Sequence, residues 1–247
     1  FQDDATRILR AARYASRFDF RMADVTGAEI DQSIGYLNSI SIERFKHEMD
    51  RVLVEPNVSG AVELLSHWNV LATQGGEFDF DESGWNLLDR IYPFGSPKRR
   101  IAGWGLLSLG HATLRSNEIA NRWKLDTEAR DVSVDALRLR DLLRVSNIEE
   151  LHPSGRVAAL ERFNIEAVGV NSISMSEGAG KHALDDYLNE LRLIRPALNG
   201  RDILALGVPQ GPRVGDALQL LKNARLDSEV HSRADEIQMV MNFLSDM

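Results

Sequence analysis

Apolar residues recur along this chain at helical spacing almost throughout. Ile8, Ala11, Ala12, Ala15 and Phe18 form one face of a first helix, with Asp3 or Asp4 placed to cap it. Thr26-Gly27 opens a second helix running to about residue 40, and Ser41 caps a third that Pro56 ends. Ser59 opens a fourth, carrying Val62, Leu65, Trp68 and Leu71 and stopped by Gly75-Gly76. Ser96-Pro97 reads as N-cap and first helical residue of a helix to about Arg115. Further helical stretches are predicted over 117–125, 131–145, 154–164 and 180–195. Residues 196–212 read as loop, punctuated by Asn199-Gly200, Gly207, Pro209 and Gly211-Pro212, before two closing helices over 214–226 and 232–246. One run, 165–173, is β-like, short and isolated. The fold class this predicts is all-α, an elongated array of antiparallel helical hairpins. Composition shifts suggest three sections: 1–56, 57–125 and 126–247.

The 247 residues are 43% hydrophobic and 27% charged, which suits a globular protein and not a disordered one. No apolar run approaches the roughly 20 residues of a membrane span, so no membrane partner is expected. There are no cysteines, which excludes disulfides, thiolate nucleophiles and cysteine-held metal and points to a reducing cytoplasm. The net charge of −8 excludes a surface that is basic throughout. Phosphates, however, respond to local arginine clusters and not to the total, and arginine greatly outnumbers lysine here.

That arginine bias is densest at the start. Arg7, Arg10 and Arg13 recur every third residue and Arg17 follows, on the side away from Ile8, Ala11 and Ala15. Asp4, one turn before Arg7, can lie beside it. A carboxylate offers two acceptors and a guanidinium offers paired donors, so the two make an edge able to hydrogen-bond the Watson–Crick face of a base. The other arginines suit a triphosphate. From spacing alone, a solvated charged face with an ordinary N-terminal cap and ion pair explains the same residues.

The string Phe1-x-Asp3-Asp4-x-x-Arg7-x-x-Arg10-x-x-Arg13-Tyr14 resembles the (Glu/Asp)-Asp-x-x-Arg motif of class II tRNA nucleotidyltransferases and bacterial poly(A) polymerases. Asp3 stands where Glu is usual, and Ala5-Thr6 where Pro-Leu is common. Ser41-x-Glu43-Arg44-x-x-x-Glu48 resembles the helix that braces this motif in the family, and 198–215 together with Ser232-Arg-Ala-Asp-Glu236 resembles its tail. Between about 60 and 195 only helical character matches. The resemblance implies a neck (1–56), a body (57–125) and a C-terminal RNA-binding body and tail (126–247). It implies that Asp4 and Arg7 read the base of CTP or ATP, that Arg10 and Arg13 support the nucleotide, and that Asp3 and Arg44 support the motif structurally. It also implies partners: a tRNA or other RNA 3′ end, ATP or CTP, and the protein's own N-terminal catalytic head, which would hold the Mg2+. The chain is read as part of a longer protein, with no catalytic residue, metal or cofactor of its own. An all-α module that binds RNA or protein without catalysis is the alternative.

Other patterns carry less. Asp79-x-Asp81 follows a Gly-rich turn, as metal-binding carboxylates can, but it lies between helices and reads as an acidic loop whose Asp81 or Ser83 caps the next one. Around Gly178-Ala-Gly-Lys181-His182 the spacing fails that of a phosphate loop. His67 and Trp68 read as packing residues, and His182, Asp185 and Asp186 as a solvated helix face. The glycines of 207–215 read as a helix–helix turn more readily than as a phosphate cradle.

Overall fold

The computed structural model describes residues 1–75, 78–111, 115–116, 118 and 122–245, and among these every regular element is helical. Two compact units divide the chain: 1–146 with 163–181, and 147–162 with 182–247.

In the first unit, α1 (Thr6–Phe18) packs on α3 (Ile42–Val52) and α4 (Val58–His67), with α2 (Asp24–Ser33) and a 3₁₀ turn (Ile34–Ser39) between α1 and α3 in sequence. A short α5 (Ala72–Gly75) and α6 (Glu82–Ile91) lead to α7 (Arg99–Gly110), which packs against α8 (Thr127–Leu143) and α10 (Ile165–Ile173). Helix α7 is enclosed nearly all round: Ile101, Ala102, Trp104, Leu106 and Leu107 are core, and Gly103, Gly105 and Ser108 are buried with them. Gly105 has a steric reason. A Cβ there would sit 3.1 Å from Val170 and 3.2 Å from Val132, so its absence lets α8 and α10 close on the same turn.

Several expected boundaries move. The β-like run is α10, capped by the Asn164 side chain, which accepts from the Glu166 amide. It is buried on several faces, from Ala167 to Ile173, and so lacks the polar stripe by which an amphipathic helix is recognised. Helix α7 starts at Arg99, not Pro97, because 96–99 form a turn closed by Arg99 N–H donating to the Ser96 carbonyl; it ends at Gly110. Asn57, not Ser59, caps α4, accepting from the Gly60 amide. His67 is exposed at the end of α4 while Trp68 is buried. The helix expected over 117–125 and the stop at Gly76 lie largely outside the described residues.

The second unit holds α9 (Pro153–Leu160), most of α11 (Ala179–Asn189), α12 (Gly200–Ala205), α13 (Pro212–Leu226) and α14 (Arg233–Ser245). Helix α12 occupies what reads as loop. Asn199 and Asp202 form a reciprocal capping box, so the Asn199-Gly200 pair starts a helix, and Gly207, at a φ of 100°, ends it. The core is Leu198, Ile203, Val208, Ala217, Leu221 and Val240.

One fully buried carboxylate ties this unit together. Glu236 accepts from the Ala197 amide at 2.9 Å, the Leu198 amide at 2.8 Å and Arg225 Nε at 2.5 Å. Burial alone would raise its pKa, but these donors outweigh burial and hold it below its ordinary value of 4.5. Glu236→Ala should therefore destabilise the unit by about 1–3 kcal/mol, since it removes the shared acceptor of the Ala197 and Leu198 amides and of Arg225. Because the folded pKa is depressed, the carboxylate's contribution is present above pH 4.5 and lost as pH falls through the lower folded value. Urea titrations at neutral and acidic pH read both effects.

Candidate functional site

The opening helix meets α3 through a row of charges. Asp4 precedes α1 and covers part of its open first turn: its Oδ1 accepts from the Thr6 amide at 3.0 Å and the Thr6 hydroxyl at 2.6 Å. The same oxygen takes Arg44 Nη2 at 2.9 Å, and Oδ2 takes Arg10 Nη2 at 3.1 Å. Arg10 Nε then lies 3.4 Å from Glu48, and Arg13 lies 3.6 Å from Glu48 and 3.3 Å from Glu55. Glu55 receives Arg17 in a bidentate fork at 2.7 and 2.6 Å.

Signs therefore alternate without a break: Arg44, Asp4, Arg10, Glu48, Arg13, Glu55, Arg17. The local cause is spacing. Arg10 and Arg17 are seven residues, two helical turns, apart on α1, while Glu48 lies on α3 and Glu55 three residues past its end. Both glutamates are buried, and the arginines facing them supply the compensating charge that makes this tolerable. Arg51 adds a cation on Glu48 at 3.4 Å.

The Asp4 carboxyl is held below its ordinary value, first by the Thr6 hydroxyl, against the opposing effect of burial, with the Thr6 amide, Arg44 and Arg10 adding. It is an anion at neutral pH. Three donors crowd Oδ1, whereas Oδ2 takes only Arg10. Each carboxylate oxygen carries two lone pairs, so Oδ2, with a single donor, keeps one for a further donor, while the three donors on Oδ1 share its pair. Arg7 is exposed, and its guanidinium forms no ion pair among the described residues. Beside it, Thr6, Arg10, Glu43, Arg44, His47 and Glu48 line an open cleft of about 350 Å³.

Asp4, Arg10 and Arg44 thus gather at one end of the α1–α3 pair, with Arg7 exposed in the first turn of α1. Asp4 and Arg7 form no ion pair among the described residues: the Asp4 carbonyl accepts from the Arg7 amide at 3.1 Å, but Thr6, Arg10 and Arg44 claim the Asp4 carboxylate. Asp3 is exposed and forms no ion pair among the described residues. Arg13 is turned inward at 8% exposure, its Nη2 donating to the Tyr14 hydroxyl at 3.0 Å. Nothing in the sequence singles out Glu55, because it lies past the end of α3, beyond the reach of helical periodicity.

Phe18 departs from the expected apolar face. It lies roughly 80° around the helix from Ile8 at about 100° per residue, and is 54% exposed. It stacks between Tyr14 and Phe20, at 6.4 and 5.4 Å between ring centres. Elsewhere, Asp81 caps α6, accepting from the Ser83 amide at 3.1 Å and hydroxyl at 2.7 Å, while Asp79 is exposed. Lys181 lies 3.7 Å from Glu177 within the first turn of α11 and its approach.

No family model matches the chain. Among curated proteins, a CCA-adding enzyme of Geobacillus stearothermophilus is 28% identical over 244 residues, covering 96% of this chain and 59% of the relative. One from Lactobacillus helveticus is 26% identical over 258 residues, covering 100% of this chain and 61% of the relative. Among solved structures, a Thermotoga maritima CCA-adding enzyme complexed with tRNA superposes with a TM-score of 0.75 at 21% identity, over 98% of this chain and 62% of the other. The chain spans about three fifths of the length of the curated relatives it matches.

Proposed function

We propose, from the premise that this chain is a relative of the CCA-adding enzymes over nearly its whole length, that it selects the nucleotide and holds the RNA in a template-independent nucleotidyltransferase. Such an enzyme joins CMP or AMP to an RNA 3′ hydroxyl and releases pyrophosphate. The observation that carries this reading lies at the head of α1: a carboxylate whose Oδ2 takes a single donor, and an exposed Arg7 whose guanidinium forms no ion pair among the described residues.

The chemistry of bases makes that pair selective. Cytosine and adenine each present an exocyclic amine, a donor, beside a ring nitrogen acceptor. Uracil and guanine present a carbonyl acceptor beside a ring N–H donor. Asp4 can only accept and Arg7 can only donate, so together they complement the first two bases and oppose the other two. Arg10, held by Asp4 and Glu48 yet 37% exposed, is placed to meet phosphate, while the enclosed Arg13 supports the nucleotide from behind.

In this reading residues 1–56 form the neck, 57–125 the body and 126–247 the RNA-holding body and tail, in a cytoplasmic protein. The phosphoryl chemistry belongs to an N-terminal head with Mg2+. Among the described residues no group of three or more His, Cys, Asp or Glu is arranged to hold a metal.

The test uses tRNA lacking its 3′ end and each labelled nucleoside triphosphate in turn. Full-length protein should incorporate CTP or ATP and neither UTP nor GTP, while the 247-residue chain should incorporate none. Robust incorporation by the chain would overturn the division of labour. RNA binding without incorporation by the full-length protein would favour a non-catalytic module.

A further inference from the structure

We infer that Glu55 is a positioning residue for the base-reading edge, acting through Arg13 and Glu48 on Arg10. The inference rests on the nucleotide-selecting reading above and adds a member that no resemblance supplies.

Glu55 is 2% exposed and is fixed at both ends. Its carboxylate holds Arg17 bidentately and lies 3.3 Å from Arg13 Nε. Its carbonyl accepts from the buried Arg99 at 2.6 Å. The backbone of Glu55 is thus anchored through its carbonyl, and its buried carboxylate reaches Arg13 and Arg17 from that fixed point.

Between Glu55 and the open edge every charge is shared. Arg13 divides between Glu55 and Glu48, Glu48 among Arg13, Arg10 and Arg51, and Arg10 between Glu48 and Asp4. Neutralising Glu55 leaves Arg13, only 9% exposed at its side chain, with Glu48 as its one remaining carboxylate. Glu48 then shifts toward Arg13 and away from Arg10, and Arg10 loses the contact that sets its height beside Asp4. Water cannot readily compensate, because Glu48 and Arg13 are both enclosed.

The experiment compares Glu55→Gln and Glu55→Asp in the full-length protein. Glu55→Gln should raise KM for CTP and ATP by about tenfold with kcat and the KM for tRNA within twofold. Glu55→Asp, which keeps the charge, should recover most of that loss. A lowered melting temperature with unchanged nucleotide KM would overturn the inference, since a purely structural residue gives that result. If Glu55→Gln fails to fold, Arg17→Lys tests the same link by removing the fork while keeping the charge, and an unchanged KM again overturns it.

A second readout separates this inference from the functional reading. In the isotope-labelled chain, the Arg10 and Arg13 Nε–H NMR signals should both move in Glu55→Gln. A stationary Arg10 signal would disprove positioning whether or not the protein incorporates nucleotide. Failure of wild-type incorporation with a moving Arg10 signal would sink the functional reading and leave the linkage standing.

Discussion

Asp4→Asn in the full-length protein is expected to relax the preference for CTP and ATP over UTP and GTP by about 10–100-fold, the range of one bidentate base contact. The substitution is nearly isosteric, so its oxygen can still accept from the Thr6 amide and hydroxyl and the first turn of α1 stays covered. What changes is the outward atom. A carboxylate oxygen can only accept, whereas an amide can present its NH2 to the carbonyl of uracil or guanine. The charge lost to Arg10 and Arg44 should also weaken nucleotide binding overall, but equally for all four bases. Competition among the four triphosphates for one tRNA separates the two effects. Because the Thr6 hydroxyl and the flanking arginines hold the wild-type carboxyl below its ordinary 3.8, selectivity should be flat from about pH 5 to 8. Unchanged selectivity with reduced stability would make Asp4 a helix cap and nothing more.

The all-helical architecture could be read from the chain because its cause is local. Periodicity marks amphipathic helices, and Ser41 caps α3 as its position predicts, accepting from the Arg44 amide. Regions decided by tertiary environment could not be read in the same way. Helix α10 is enclosed on too many faces to show a polar stripe, and α12 is only six residues long, held by a capping box that resembles a turn dipeptide. At the candidate site the residue types could be read but the partners could not. Asp4 and Arg7 are three apart, which suggests a pair, yet the helix begins after Asp4 and the carboxylate turns to α3. Arg13 and Phe18 exchange places with expectation for a related reason. The segment facing α1 carries Glu48 on α3 and Glu55 just after it, so an arginine is drawn in, while Phe18 at the edge of the stripe is left out. Only the second helix of the pair reveals that.

Arg99→Met should cost about 3–5 kcal/mol of stability, the expected effect of removing one partner from a buried charged network. Arg99 is fully buried at the start of α7 and is the meeting point of three segments. It donates to the carbonyl of Tyr92, where α6 ends, to the carbonyls of Glu55 and Pro56 after α3, and to the Asp89 carboxylate. Methionine approximates the arginine stem but leaves these carbonyls without that donor and Asp89 without its cation. Lysine keeps the charge with a single nitrogen, which cannot span the same set of acceptors, so Arg99→Lys should fall between wild type and Arg99→Met. Urea unfolding followed by circular dichroism ranks the three. The same substitutions reach the candidate site through one atom, the Glu55 carbonyl. Freed from Arg99, the turn after α3 no longer fixes Glu55, and the alternating row from Arg17 to Asp4 loses its anchored end. Nucleotide KM should therefore rise in Arg99→Lys at temperatures well below its melting point. If KM holds at the wild-type value while stability falls, the buried hub and the base-reading edge are energetically independent.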